Sequence, residues 1–322
     1  MPAPTSAVPA PGLGGDARPR RPSSGSRARS RHRRLGGDLL AYALVAPAAL
    51  FYAFFVLRPI VTSAQYSFYD WNGVSTATWV GFDNYVAVLS EPKLVGAILN
   101  AFELILYFSI VPVGLALVAA NLIRSIAASR LATAARTVLF IPQVIPLVAA
   151  GIIWSWQLSS DGLVNQILRA VGLDAVTRAW LGDFGTALPA VGVIGAWVQV
   201  GLCLVLILSG MTRIDASLYE AARLDGAGPV REFFSITLPG VRQEIAICVT
   251  VTVISALASF DIIYVATQGG PGNRTLVPGL QIFYLAFFER EIGTASAFSI
   301  VLMALVIAVV LPLQRLLRGR ES

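Results

Sequence analysis

Residues 188–210 read LPAVGVIGAWVQVGLCLVLILSG and contain no charged side chain. An α-helix needs about 20 mostly apolar residues to cross a hydrocarbon core of about 30 Å, because each residue advances about 1.5 Å. This stretch meets that requirement. Five further runs of the same character lie at residues 39–57, 104–123, 137–158, 245–266 and 292–314. The sequence therefore predicts an all-α, polytopic membrane protein with six transmembrane helices.

The composition supports the same class of protein. Of the 322 residues, 56% are hydrophobic and only 13% are charged, whereas soluble domains carry about 25% charged residues. The net charge of +6 would suit a nucleic-acid partner, but the arginines are not interleaved with stacking aromatic residues on one polar domain. No nucleic acid is therefore predicted among the partners.

Residues that catalyse reactions or hold cofactors are scarce. The only histidine is His32, near the N-terminus, and the two cysteines, Cys203 and Cys248, lie inside apolar runs. The only lysine, Lys93, is not part of a G-x-x-x-x-G-K phosphate-binding loop. We therefore predict no catalytic residue, no metal site and no cofactor, and no ATP binding of that kind by the chain itself.

The basic residues indicate how the spans are oriented. Residues 1–38 are rich in Pro, Gly, Ser and Ala and carry eight arginines, which predicts a disordered basic tail. An export signal at Arg33 and Arg34 is the alternative, but the run 39–57 exceeds the 7–15 residues of a typical signal. With the N-terminus inside, 18 of the 24 Lys and Arg residues face the cytoplasm. Both termini, including residues 318–322, are predicted to be cytoplasmic.

The segment between the fourth and fifth spans, residues 214–243, has consistent local signals. Asp215 or Ser217 can cap a helix, and Ser217 and Glu220 are spaced as a capping box. Leu218, Ala221 and Ala222 then share one helical face. Further turn and start signals are Gly226, Gly228, Pro229 and Pro239, the last at the start of the fifth span. The pattern predicts a short helix, a glycine turn and a second short helix, which by itself is also compatible with an interfacial loop that binds no partner.

The string EAARLDGAGPVREFFSITLP, residues 220–239, resembles the EAA signature of binding-protein-dependent ABC importer permeases. That pattern runs E-A-A-x-x-D-G-A and continues with F, I and L-P at set spacing. The matching positions are Glu220, Ala221, Ala222, Asp225, Gly226, Ala227, Phe233, Ile236, Leu238 and Pro239. One departure is Gln243, where family members often place a further proline.

The resemblance implies the type I ABC importer architecture, with a permease domain at residues 39–317 and residues 214–243 as the loop that couples it to a separate ATPase. It implies that Glu220 makes a polar contact, that Ala221 and Ala222 form a close-packed face, and that Gly226 is the hinge. The full predicted coupling set is Glu220, Ala221, Ala222, Asp225, Gly226 and Ala227. The implied partners are a second homologous permease, two ABC ATPase subunits, an extracytoplasmic solute-binding protein and the lipid bilayer of the bacterial inner membrane.

Four further segments are similar to the carbohydrate branch of this family, of the maltose and glycerol-3-phosphate type. They are SFDIIYVATQGGPGNRT (259–275), YSFYDWNG (66–73), VGFDNY (80–85) and DGLVNQILRAVGL (161–173). The resemblance implies a sugar substrate, with glycerol-3-phosphate or another small polar solute as the alternative. An ion-coupled secondary transporter is a second alternative, but it would need inverted repeats and ionisable residues at the midplane, which are not evident.

Polar residues deep within the spans are candidates for the substrate path. Gln199 and Ser255 lie about 15 Å from the starts of their spans, and Gln143 about 10 Å. Thr252, Ser255 and Ser259 share one helical face, which is where the family lines its path. Polar residues that hold helices together are an open alternative for each. The predicted path residues are Gln143, Gln199, Thr252, Ser255 and Ser259, whereas the same count places Asp261 and Glu103 near the outer ends of their spans.

Overall fold

The computed structural model describes residues 42–126 and 129–318, so the predicted tail 1–38 lies outside the described residues. The chain divides into two compact units, residues 1–59 and 60–322. The described part of the first unit is helical throughout. It belongs to helix α1, Tyr42–Tyr66, which continues past residue 59. It includes a π-helical turn at Ala53–Leu57.

The described residues are mostly helical, which confirms the predicted fold class. The helices that follow α1 are α2 Asp83–Ser90, α3 Pro92–Ser125, α4 Arg130–Val144, α5 Leu147–Gln157, α6 Leu163–Ala170, α7 Ala187–Met211, α8 Ala216–Leu224, α9 Pro229–Gly240, α10 Arg242–Leu257, α11 Asp261–Ala266, α12 Pro278–Tyr284 and α13 Ile292–Arg318. Shorter turns are the 3₁₀-helix Asp174–Val176 and the π-helical turns Leu106–Ile110, Phe233–Thr237 and Leu285–Glu289. Strands β1 Tyr69–Asp70 and β2 Thr78–Trp79 pair antiparallel, with Tyr69 opposite Trp79.

Within the described residues, four helices are long and apolar enough to cross a membrane: α1, α3, α7 and α13. Two bent pairs, α4 with α5 and α9 with α10, raise the number to six if each pair is one span. The structure therefore agrees with six spans only when the bent pairs are counted in this way.

The third predicted span, 137–158, is two helices rather than one. The axes of α4 and α5 meet at 101°. Ile145 adopts extended backbone between them, with ψ of 129°. The cause is Pro146, because the proline ring disfavours helical geometry at the residue before it.

Three further details differ from the predicted spans. The helix that contains the predicted second span, 104–123, begins at Pro92 and continues to Ser125. The fifth span is interrupted at residues 258–260, between α10 and α11. Pro239 lies within α9 and so does not start α10, the helix that holds most of the predicted fifth span, and the axis bends by 69° between α9 and α10.

Helix α7 occupies the centre of the second unit, where it packs against α3 and α4. Its glycines make this close packing possible. A Cβ added at Gly195 would overlap the ring of Phe108, and one at Gly201 would lie 2.8 Å from the backbone oxygen of Leu139. Small residues at such positions let membrane helices approach closely where the hydrophobic effect adds little between helices.

Candidate functional site

The segment between α7 and α10 folds as the predicted short helix, glycine turn and second short helix. Of the two predicted caps, Asp215 is the one used: its Oδ1 accepts the backbone N–H of Ser217 at 2.9 Å. That hydrogen bond lowers the pKa of Asp215 below its ordinary value. The carboxylate is therefore charged at neutral pH and lies next to the positive end of the α8 dipole.

The turn after α8 has the geometry of a Schellman motif. Gly226 has a left-handed backbone with φ of 78°. The N–H of Ala227 donates to the oxygen of Ala222 at 2.9 Å, and the N–H of Gly226 donates to the oxygen of Arg223 at 3.0 Å. These two bonds satisfy carbonyls that a helix end otherwise leaves unpaired. The turn then leads to Pro229, the first residue of α9.

Tyr219 anchors α8, because it is the only buried residue of this helix. Its hydroxyl lies 3.1 Å from Oγ1 of the fully buried Thr237 on α9. The guanidinium carbon of Arg124, at the end of α3, lies 3.9 Å from the centroid of the Tyr219 ring. This is the geometry of a cation–π contact. Tyr219 therefore joins α8 to both α9 and α3.

A buried carboxylate, Glu232 on α9, completes this attachment. Its side chain is only 6% exposed. Arg223 Nε donates to its Oε1 at 2.9 Å, and Arg124 Nη2 lies 3.7 Å from its Oε2. The hydrogen bond from Arg223 is the main cause that lowers the pKa of Glu232, with a smaller effect of the Arg124 charge. Glu232 is therefore an anion at neutral pH that faces two cations.

The opposite side of α8 is open. Glu220, Ala221, Asp225 and Gly226 are exposed, and Leu224 on the same helix is 89% exposed. The remaining predicted coupling residues, Ala222 and Ala227, are half-buried. Most of the predicted coupling set thus lies on the outer surface of the loop.

A second buried carboxylate closes the base of the loop. Glu244 on α10 is buried and pairs with Arg213, which follows α7. Gly210 faces this carboxylate, and a Cβ at that position would lie 2.6 Å from Glu244 Oε2. The carboxylate of Glu244 fits there because Gly210 has no side chain. The pair fixes the end of α7 against the start of α10.

A cavity of about 160 Å³ lies where the fifth span is interrupted. Three of the predicted path residues line it: Gln199 on α7, Ser255 on α10 and Ser259 in the interruption. Aromatic side chains line it as well, from Phe108 and Phe260. The structure thus brings together hydrogen-bonding groups and aromatic surface at one place.

The other two predicted path residues lie outside this lining. Thr252 is fully buried, and its hydroxyl donates to Ser109 Oγ at 2.7 Å, which joins α10 to α3. Gln143 is half-buried on α4, and its Oε1 has no hydrogen-bond partner within the part of the chain that the structure describes. Thr252 therefore makes a contact between helices, which was the open alternative, and its place in the substrate path stays a prediction.

One lining residue, Asp261, was not predicted. Counting along an unbroken helix places it near the outer end of its span, but the helix stops at Leu257 and restarts at Asp261, and Asp261 is among the residues that line the cavity. Acidic residues are favoured in the first turn of a helix, because of the helix dipole. Asp261 is the one charged residue in the apolar run 245–266. This isolated aspartate could have been read as a sign that a helix begins there.

Similar proteins were found by sequence and by structure. Residues 113–321 match the family described as "Binding-protein-dependent transport system inner membrane component". The chain is 34% identical to the diacetylchitobiose uptake system permease protein NgcF of Streptomyces coelicolor, over 94% of this chain and 91% of that one. It is 33% identical to the sulfoquinovosyl glycerol transport system permease protein SmoG of Agrobacterium fabrum, over 89% of this chain and 93% of that one.

A solved structure shares the fold. It is a crystal structure of a bacterial ABC transporter involved in the import of the acidic polysaccharide alginate. The similarity has a TM-score of 0.76 at 24% identity, and covers 91% of this chain and 100% of the other. At this identity the similarity supports the architecture alone.

Proposed function

This chain belongs to the family of binding-protein-dependent transport system inner membrane components, and on that premise we propose that it is the permease subunit of an ATP-driven importer for a sugar. The chain is a transport subunit and not an enzyme. The observation that supports the coupling role best is the loop between α7 and α10. Its helix α8 is attached to the rest of the chain through buried Tyr219 and through Arg223, which pairs with Glu232, whereas Glu220, Ala221 and Leu224 are exposed.

We infer that the exposed side of this loop docks on an ATPase subunit. Glu220 offers a charge there, and the small side chains of Ala221 and Ala222 allow another surface to approach closely. Asp225, Gly226 and Ala227 hold the turn that presents them. A partner must supply nucleotide hydrolysis, because the chain has no G-x-x-x-x-G-K loop. Two ATPase subunits and a second permease would complete the membrane complex, and a solute-binding protein would deliver the substrate.

The sugar assignment is supported by the relatives and by the cavity. NgcF and SmoG are named for diacetylchitobiose and sulfoquinovosyl glycerol. Gln199, Ser255 and Ser259 offer hydrogen bonds to hydroxyl groups, and Phe260 offers a flat apolar surface. The cavity of about 160 Å³ is smaller than the ~300–1,000 Å³ of small-molecule sites. We infer that the second permease supplies the rest of the site.

The remaining path residues have supporting roles in this proposal. Gln143 has a buried Oε1 that finds no partner among the described residues, and this oxygen can accept a hydrogen bond when the helices move. Thr252 holds α10 against α3 one turn from Ser255. Glycerol-3-phosphate is a weaker candidate than a neutral sugar, because the described residues that line the cavity include Asp261 and no Lys or Arg that would pair with a phosphate group.

We expect the loop to face the cytoplasm of a bacterial cell and both termini to lie on the same side. In a Cys203→Ala/Cys248→Ala background, a membrane-impermeant maleimide should label Ser160→Cys in intact cells and Ser217→Cys only after permeabilisation. Both serines are exposed. Labelling of Ser217→Cys in intact cells would overturn the orientation and the docking role together.

Reconstitution tests the function directly. The permease is purified with its three kinds of partner subunit and placed in proteoliposomes that contain ATP. We expect uptake of a labelled oligosaccharide that depends on ATP and on the binding protein, and ATP hydrolysis that rises when the binding protein is loaded. Uptake by this chain alone, driven by a sodium or proton gradient, would instead support the secondary transporter.

A further inference from the structure

Three helices meet at one buried side chain on the inner surface of the loop. Glu232 on α9 binds Arg223 of α8 at 2.9 Å, and its second oxygen lies 3.7 Å from Arg124 of α3. Arg124 also lies over the ring of Tyr219, and Tyr219 contacts Thr237 on α9. We call Arg124, Tyr219, Arg223, Glu232 and Thr237 the latch.

The latch is a poor device for stability alone. A buried ion cluster loses about as much free energy in desolvation as its charges gain by attraction, and apolar residues of similar size often replace such clusters without loss. Such clusters can instead fix one arrangement of neighbouring elements. Here the arrangement that they fix is the position of α8 relative to α3.

Helix α3 connects the latch to the cavity. Arg124 lies at its end, and Phe108, which lines the cavity, lies 16 positions earlier, or about 24 Å along a helix. Phe108 sits within the π-helical turn Leu106–Ile110, and such turns are frequent at functional positions. The adjacent Ser109 accepts the hydrogen bond of Thr252 on α10. One continuous element thus joins the loop to the cavity wall.

We propose that Glu232 is a positioning residue which, through Arg124, transmits movement of the docked helix α8 along α3 to the cavity. This role rests on the proposed docking of the loop on an ATPase subunit. It differs from that docking, because Glu232 faces inward and does not itself belong to the exposed side of α8. Removing the charge of Glu232 should leave the ATPase subunit bound but should lower the amount of sugar imported per ATP hydrolysed.

The test compares Glu232→Gln, Arg124→Gln and the double variant in the complete complex, in proteoliposomes. The measured quantities are the ATPase subunit retained on purification and the sugar imported per ATP hydrolysed. We expect full retention, and a fall of about fivefold or more in uptake per ATP for each single variant. The double variant should fall no further, because both residues act through one contact.

Two further variants separate positioning from folding and from general loss of charge. Arg124→Met/Glu232→Met replaces the buried carboxylate and one of its two cations by apolar side chains, leaves the largely exposed Arg223 in place, and should fold while it stays uncoupled. Lys93→Gln/Glu289→Gln removes an exposed ion pair of 3.1 Å and should behave as wild type. Uptake per ATP within twofold of wild type in Glu232→Gln, or loss of the ATPase subunit from it, would overturn the proposal.

Ala221→Trp distinguishes this proposal from the one on which it rests. The bulky ring on the exposed side of α8 should release the ATPase subunit. If the subunit stays bound, the docking role itself fails. If Ala221→Trp releases the subunit while Glu232→Gln keeps normal uptake per ATP, only the positioning role fails.

Discussion

Gly226→Val should abolish most sugar uptake while the protein still inserts and folds in the membrane. Gly226 has φ of 78°, a conformation that costs an ordinary L-residue about 1–2 kcal/mol and a β-branched residue more. A cost of this size reduces the population of the native turn by about 5- to 30-fold. The two hydrogen bonds that end α8 are then formed in a smaller fraction of the molecules, and the exposed side of α8 is no longer held in the shape that docks on the ATPase subunit.

The matched control is Gly228→Val, two residues further on. Gly228 has φ of −80° and ψ of 170°, an extended conformation that suits valine. A Cβ at either glycine meets no atom within 4 Å, so that the two variants differ in backbone conformation and not in crowding. Uptake, membrane yield and retention of the ATPase subunit are measured for both. Equal uptake by the two variants would show that the left-handed turn is not needed.

The sequence contained enough to predict the loop, because its signals are local. A cap at Asp215, a glycine in the turn and a proline at the next helix start each act within a few residues. These rules could not predict which of Asp215 and Ser217 caps α8, because both residue types are favoured at that position. The outward direction of Ala221 and the inward direction of Tyr219 also depend on α3 and α9, which local patterns do not specify.

The membrane part was predicted in outline only. Apolar length gives the number of spans, but the bend at Pro146 and the interruption at residues 258–260 depend on the fold. Pro146 carried a visible signal, whereas Ser259 and Phe260 have no residue type that breaks a helix. Irregular backbone at membrane depth is tolerated where it is buried in protein or lines a cavity. The interruption meets this condition, because residues 258–260 line the cavity.

The latch was invisible in the sequence for a related reason. Arg124 and Glu232 are far apart in the chain and lie in different predicted loops. Each resembles an ordinary charged residue near a helix end. Only the packing of α3 against the loop brings them together, and it buries Glu232 while the Arg223 side chain stays 62% exposed.

Ser255→Trp should block sugar passage while the complex with the ATPase subunit remains intact. Ser255 lines the cavity of about 160 Å³, and its hydroxyl donates to the oxygen of Val251 in its own helix, at 3.0 Å. An indole at this position fills the space between Gln199 and Phe260. A sugar would have to displace the indole in order to pass, and an added barrier of about 1.4 kcal/mol corresponds to about tenfold in rate. We therefore expect uptake to fall about tenfold or more.

Ser255→Ala separates obstruction from loss of a hydrogen bond. Alanine keeps the cavity open and removes the hydroxyl, so that uptake should fall by about two- to fivefold if the hydroxyl makes one hydrogen bond to the sugar worth about 0.5–1 kcal/mol. Both variants should keep the ATPase subunit, because Ser255 is remote from the exposed side of α8. Uptake is measured in proteoliposomes with saturating loaded binding protein, so that a change reports on passage rather than on delivery. Normal uptake by Ser255→Trp would mean that the sugar takes another route, and the interrupted fifth span would then lose its assigned role.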